Sequence, residues 1–466
     1  MRINTNITSL QAQRSLGHNN NDLSMRLERL STGLKINTGK DGPAALIASE
    51  NMRSEMAGIR QAIDNSTRAN NVINTAEGSL AEVNNLLLQV QALTNEAANT
   101  GALAPAEIEA NQLQVDAILG SINRISNTTT FNGENLLNGA LDYTLSGVTV
   151  SNVPDVKINS ADLPDNGSIA IDVDVTTSAQ TGRITVGANA SGVVTLEIAG
   201  NKGVEQLTFA SGTTTIAMAT AINSIKESTG VEANLSGTTL HIDSVGYGSS
   251  QFVSVEAISG PWSAASGTRD TGVDAELSIN GSAAVADGLN VKSRVGGLDL
   301  ELELSVDFGT QTAVNESFNV TGGGATFQVG STVGSQGQVN VGVASVNTNR
   351  LGNNQVGFLS QIGSGGDASL VAGETTKAQE ILTAAIQEIA TLRGRLGALQ
   401  KNVLETNITS LGVALENVTA AESDIRDADF ASETAQLSRA QILTQANTAI
   451  LAQANATPQQ VLSLLQ

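Results

Sequence analysis

The chain has 466 residues and no cysteine. That absence removes disulfides, thiolate metal sites and cysteine nucleophiles, and it leaves the redox compartment open. Aromatic residues make up only 2% of the chain. Histidine occurs twice, as His18 and His241, too sparsely for a His-rich metal site. There are six prolines, and none interrupts residues 262–457, so long helices are permitted there. Basic charge is also scarce: 24 Lys and Arg against 45 Asp and Glu give a net charge of −21. A nucleic-acid binder needs a basic surface to meet phosphate, so that class is disfavoured. No uncharged run approaches the roughly 20 apolar residues of a membrane span. The opening "MRINTNITSL" lacks the apolar stretch of a secretory signal, so the expectation is a cytoplasmic protein or one that leaves without a cleaved signal.

What is present falls into three segments. No aromatic residue precedes Phe131, and only Phe430 follows residue 371. Most of the 46 glycines and most of the net negative charge lie between. The two ends carry helical periodicity. Ile3, Ile7 and Leu10 are spaced by four and three, and Leu23, Leu27, Leu30 and Leu34 continue the pattern. Val72, Ala76, Leu80, Val83 and Leu87 repeat it, as do Leu382, Ile386, Ile389, Leu392, Leu396, Leu399 and Val403, then Ile408, Leu411, Leu415 and Val418. Such stripes belong to helices packed along their length. "DGPAAL" places Pro43, and "APAEIEA" places Pro105, at first helical positions. In "ATPQQVL" the spacing predicts a further start, with Thr457 as cap, Pro458 first in the helix and Gln460 completing a capping box.

The middle alternates with period two. Ile169, Ile171, Val173 and Val175 oppose Asp172 and Asp174; Leu298, Leu300, Leu302, Leu304 and Val306 oppose Asp299, Glu301, Glu303 and Ser305. This is the pattern of half-exposed antiparallel strands. One short helix is expected there, with Met218, Ile222 and Ile225 on one side. The closing stretch "SRAQILTQANTAILAQANATPQQVLSLLQ" is apolar enough to need a partner, and the only region of like character is the opposite end of the chain. Two lone amphipathic helices bury little surface, so the pair would be marginal alone and stable when many copies pack together.

"MRINTNITSLQAQRSL", "LERLSTGLKINTGKDGPAALIASENMRSEMAGI" and "NTTTFNGENLLNG" resemble the N-terminal region of bacterial flagellin, and "AESDIRDADFASETAQLSRAQILTQANTAILAQANATPQQVLSLLQ" resembles its C-terminal region. Within the middle, "GTTTIAMATAINSIKESTGVEANLSGTTLHIDSVGYG" resembles the IN module of flagellar insertions, and residues 325–352 resemble the family's β-hairpin. The resemblance implies an α+β fold: a long, antiparallel, coiled-coil-like helical core from both termini, a β-hairpin, and an inserted, mainly-β variable outer region. It implies inner-tube helices at 1–42 and 428–466, an outer-tube core at 43–139 and 323–427, and a solvent-exposed insertion at 140–322. It further implies a filament subunit exported by the flagellar type III route to an extracellular flagellum. The implied partners are further copies of itself, cap and hook-associated proteins, and an export chaperone meeting the C-terminal helices.

The self-assembly seam is expected at Ile3, Ile7, Leu10, Leu27, Leu30, Leu34, Ile442, Ala446, Ile450, Val461 and Leu465, with Ile3, Ile7 and Leu10 packing on the last five. Many members are recognised by a Toll-like receptor. Immunostimulatory ones carry arginine where this chain has Gln89 and glutamate near Gln114, while Leu93 matches, so the resemblance implies weak recognition; the plainer reading makes Gln89 a tolerated helix-surface residue. No enzyme is expected and no cofactor is called for. Some flagellins carry an HExxH insert, but His18 precedes Asn19 and His241 precedes Ile242. His241 and Asp243 share a strand face that is expected to be solvated, and His18 is expected at a surface or interface. "GSGGD" at 363–367 lacks the Lys and Ser/Thr of a phosphate loop and reads as a linker. "ESDIRDAD" is expected to open or join helices. The acidic strand faces read as solvated surface rather than calcium ligands. The competing readings are a hook–filament junction protein, which shares these ends, and an adhesive or carbohydrate-binding middle.

Overall fold

The computed structural model describes residues 5–164, 167–186, 190–262 and 267–464, with side chains through residue 457. The helices are α1 (Ile7–Thr32), α2 (Pro43–Ala97), α3 (Pro105–Thr128), α4 (Thr215–Ser224), α5 (Lys226–Thr229), α6 (Val306–Gly309), α7 (Thr375–Leu399), α8 (Thr406–Arg426) and α9 (Phe430–Leu464). A π-helical segment, Gln400–Glu405, joins α7 to α8. Pro43 and Pro105 open α2 and α3, where an amide hydrogen would have had no intrahelical partner. The start expected at Pro458 is not used. Helix α9 runs through it to Leu464, and Thr457 donates its hydroxyl to the Gln453 carbonyl one turn back (2.9 Å) instead of capping.

The chain divides into two compact units. The first takes in residues up to Thr67, Gln328–Gly337, and those from Val403 onward. Here α2 buries Met56, Ile59 and Ala62. The Ser49 hydroxyl donates to Glu422 on α8 (2.9 Å), and that of Thr419 reaches the Met56 sulfur (3.2 Å). The 328–337 turn approaches α2 so closely that a Cβ on Gly58 would stand 2.7 Å from the Ser331 carbonyl oxygen. The Asn407 amide holds the Val329 carbonyl at 2.9 Å. Gly33, at φ +74°, ends α1 in the left-handed conformation. Beyond it the Lys35 N–H meets the Arg426 carbonyl (2.6 Å) and the Ala428 N–H meets the Gly33 carbonyl (2.9 Å).

The second unit takes in Arg68–Phe327 and Gln338–Asn402. Of the expected stripe, Ala76, Leu80, Val83 and Leu87 of α2 and Leu382, Ile389, Leu392 and Leu396 of α7 are buried, with Ile73, Val90, Ile381 and Ala385 beside them; Val72, Ile386 and Leu399 are half-buried at its margin. Arg393 of α7 pairs with Glu77 of α2 at 2.7 Å. Eight strands form one sheet in the order Tyr143–Ser146, Val314–Gly323, Ile169–Thr177, Glu276–Ile279, Ser282–Asp287, Asn290–Val295, Leu298–Glu303, Asp155–Ser160, and every pairing is antiparallel. Its core gathers Ile171, Val173, Val175, Leu300 and Leu302 with Phe318, which is fully buried. The alternation holds to Leu304, but Val306 leaves the strand. It begins α6, whose Phe308 N–H bonds the Ser305 hydroxyl at 3.2 Å, and it is exposed. Glu303 also departs from the pattern, being buried and held by the Asn354 amide (3.4 Å).

A separate core lies among a three-stranded sheet (Arg183–Val186, Thr239–Ser244, Val231–Ser236), a four-stranded sheet (Arg269–Thr271, Phe252–Ser259, Val194–Ala199, Val204–Phe209) and α4. Met218 and Ile222 of α4 are fully buried in it and Ile225 packs alongside, as the sequence pattern predicts. Strands Ala325–Gln328 and Gln338–Val341 form the expected hairpin.

Candidate assembly interface

Helices α1 and α9 lie antiparallel along their length. Asn6 and Ser9 stand opposite Ala454 and Asn455, Arg26 and Arg29 opposite Glu433, and Leu34 opposite Asp427. Helix α1 is capped by Asn6, whose Oδ1 accepts the Ser9 N–H (3.1 Å). Helix α9 is opened by Asp429, whose Oδ1 accepts the Ala431 N–H (2.9 Å). The acidic stretch before α9 therefore joins helices, as its composition suggests.

The line of contact mixes alanine, leucine and polar residues. Ala12, Ala440 and Ala454 are buried on it, and Leu16, Leu23, Leu30, Leu437 and Leu451 are half-buried in step with them. The Ser9 hydroxyl donates to Asn455 Oδ1 at 2.7 Å. Arg26 Nη1 holds the two Glu433 oxygens at 3.0 and 2.9 Å, and Arg29 Nη1 donates to Oε1 at 3.1 Å. Burial opposes ionisation of Glu433, but hydrogen bonds from Arg26 and Arg29 outweigh it and hold the carboxyl below the ordinary glutamate range.

Most of the expected assembly residues sit off this line. Ile7 is 67% exposed, Ile442 65% and Ile450 55%. Leu10, Leu27, Phe430 and Leu443 are exposed with them, as is Ala446, while Leu30 and Leu34 are half-buried. The expected packing of Ile7 and Leu10 on Ile442, Ala446 and Ile450 is therefore not made within the chain. Ile7, Leu10, Ile442 and Ile450 are left on the outer faces. Ile3, Leu465 and the side chain of Val461 lie outside the described residues.

The remaining candidates lie away from this seam or are exposed on it. His241 Nδ1 lies 3.2 Å from the Thr185 hydroxyl, whereas Asp243 takes a two-pronged bond from Arg183 at 2.7 and 3.0 Å. Asp243 is buried, so the solvated face expected there is corrected: its strand is central in its sheet and Arg183 covers the carboxylate. His18 is exposed. The 363–367 segment is held by Asp116, which accepts the Ser364 N–H at 2.9 Å and its hydroxyl. Gln112 grips the same loop, donating to the Ile362 carbonyl (2.9 Å) and accepting from the Leu370 N–H (2.8 Å). Gln89 and Gln114 are exposed on α2 and α3, and Leu93 is half-buried. In the second unit, a cleft of about 510 Å³ is lined by Lys157, Glu301, Glu388 and Arg395 among others. Lys157 bonds Glu388 at 2.5 Å. Burial works against the charged Lys157 amine, but Glu388 and Asp155 raise its pKa above the ordinary value.

Sequence reading missed the Arg26–Arg29–Glu433 cluster and the Asn6–Ala454 bond. Both join residues more than 400 positions apart, and neither uses the apolar residues that periodicity picks out. A proline inside an apolar helical run was the available signal for the second. Among the described residues, no helix is long and apolar enough to cross a membrane, and no group of three or more metal-ligating side chains is assembled.

Residues 3–142 match the bacterial flagellin N-terminal helical region, 379–465 the bacterial flagellin C-terminal helical region, and 195–247 the flagellin hook IN motif. The B-type flagellin of Pseudomonas aeruginosa is 33% identical over all of both chains. A flagellin of Salmonella typhimurium is 30% identical over all of this chain and 99% of its own. The flagellar hook associated protein-3 of Legionella pneumophila aligns at a TM-score of 0.31 and 14% identity, covering 81% of this chain and 98% of its own, a likeness too slight to argue from. With both helical ends matched and the relatives aligned from end to end, this chain belongs to the bacterial flagellin family.

Proposed function

We propose that the outward apolar faces of α1 and α9 are the surface through which this flagellin, a structural subunit of the flagellar filament, packs against further copies of itself. The observation that carries the reading is the exposure of Ile7, Leu10, Ile442 and Ile450 on a helix pair whose own seam is made by other residues. Monomers rarely leave such a face uncovered. A heterologous contact that does not close into a ring builds an open helix of subunits. Residues 1–42 and 428–466 would form the inner tube, 43–139 and 323–427 the outer tube, and 140–322 the projecting region. Support for the last boundary comes from strand Val314–Gly323 pairing back on Tyr143–Ser146, which closes the insertion where the hairpin begins.

The same reading places the protein outside the cell after export by the flagellar type III route. A chaperone would cover the C-terminal helices before assembly, and cap and hook-associated proteins would meet the growing and basal ends. Relatives named flagellin align with the whole chain, which favours a filament subunit over a hook–filament junction protein. Receptor recognition would be weak, because neutral Gln89 and Gln114 cannot supply the arginine and glutamate contacts. The test is negative-stain electron microscopy of heat-dissociated and reseeded protein beside a version lacking its first and last 35 or so residues. Long filaments from the full chain alone support the reading, and filaments from both would overturn it.

A further inference from the structure

Helix α9 carries a single proline, Pro458, in its interior. Proline has no N–H, so the carbonyl four residues earlier, that of Ala454, loses the donor a helix otherwise supplies. Ala454 is buried in the seam with α1, where an unpaired carbonyl bears its full desolvation cost. The Asn6 side-chain amide fills the gap, donating to the Ala454 carbonyl at 2.8 Å. Its other end is also engaged, Oδ1 accepting the Ser9 N–H at 3.1 Å. One orientation of one side chain thus caps α1 and completes α9.

At the far end of the seam the Gly33–Ala428 and Lys35–Arg426 backbone bonds already tie the helices together. Along the rest, alanines and half-buried leucines (Ala12, Leu16, Leu23, Ala440, Leu451) repeat at heptad spacing, and a repeating stripe fixes the shared face more firmly than the position along it. Arg26 and Arg29 are themselves about a turn apart, so one of them can still serve a displaced Glu433. We propose that Asn6 and Pro458 form a register key: the proline creates one acceptor without a donor, and only the native alignment brings an amide to it. Buried polar groups are best attested in this registering role. The key rests on the reading of α1 and α9 as the assembly element. Register sets where Ile7 and Leu10 lie relative to Ile442 and Ile450, and hence the shape offered to the next subunit.

The absence of cysteine makes the test direct. In the full chain, Ser9→Cys with Asn455→Cys reports the native register, and Ser9→Cys with Leu451→Cys reports a slip of one turn. Intrachain disulfide yields are compared in unchanged, Asn6→Ser, Pro458→Ala and doubly substituted backgrounds. Serine keeps the cap but is too short to reach Ala454; alanine at 458 restores the missing N–H. The expected native-to-slipped ratio falls about tenfold with Asn6→Ser and falls also with Pro458→Ala. Filament melting temperature drops with Asn6→Ser alone and recovers when Pro458→Ala is added. A residue that merely stabilised the helix would not lose register on Pro458→Ala while the filament held. Unchanged ratios in both single variants, or an Asn6→Ser penalty that Pro458→Ala does not relieve, would overturn the key. The ratio can be read in soluble and assembled protein, so filaments absent from the unchanged chain would count against the assembly reading without deciding the key.

Discussion

Arg26 holds both carboxylate oxygens of Glu433, residues 407 apart in the chain, at 3.0 and 2.9 Å. The pair fixes the end of the helical seam nearest the Gly33 turn, and Arg29 reinforces it. Glu433→Gln removes the charge and is expected to destabilise the α1–α9 pair by about 2 kcal/mol, the scale of hydrogen bonds to charged groups. The carboxyl is depressed in the folded pair. Its contribution is therefore complete above the ordinary glutamate value of about 4.3 and is lost as pH falls through the lower folded value. Filament dissociation followed from pH 6 downward should lose an acid-sensitive component in Glu433→Gln; an unchanged acid profile would contradict this.

Two glycines of α2 make a matched pair. A Cβ at Gly78 meets nothing within 4 Å, whereas at Gly58 it meets the Ser331 carbonyl at 2.7 Å. Gly78→Ala should stabilise by about 0.5–1 kcal/mol through helix propensity. Gly58→Ala should cost about 1–3 kcal/mol because backbone must move. Denaturant melts of the two variants should shift in opposite directions.

Phe318 is fully buried in the eight-stranded sheet's core. Phe318→Ala should remove about 3–5 kcal/mol from that core. Calorimetry should show a lowered transition, while seeded assembly below that transition proceeds.

Ile450→Asp puts a charge on the outward face of α9 without touching either β core. Filaments should be absent while the β-sheet circular dichroism is retained. Normal filaments would refute the assigned surface.

Gln89→Arg restores a cation at an exposed position of α2. In a Toll-like receptor reporter assay of monomer, potency should rise from a low base. A starting potency equal to that of arginine-bearing flagellins would dismiss the expectation.

Much of the fold was legible because local physics dictates it. Pro43 and Pro105 mark helix starts, the three- and four-residue spacing of Ala76, Leu80, Val83 and Leu87 becomes a buried stripe, and the alternation through Ile171, Val173 and Val175 becomes the inner face of a sheet. The errors arose where a distant partner overrides a local rule. Pro458 reads as a helix start until Asn6 supplies the bond that lets the helix continue. Asp243 reads as solvated until Arg183 covers it. Ile7 and Ile442 read as a mutual core, yet both are exposed and other residues of the same helices make the seam. Hydrophobic periodicity says which face is apolar, but not whether it is covered by the same chain or by another copy.

The contact between Asn6 and Ala454 spans 448 residues. Closing so large a loop cannot begin until the residues around Ala454 have been made, whereas hairpins such as the one pairing Val231–Ser236 with Thr239–Ser244 close almost at once. The helical seam is therefore completed after the β cores, and until α9 has been made α1 waits without the partner it has in the folded chain.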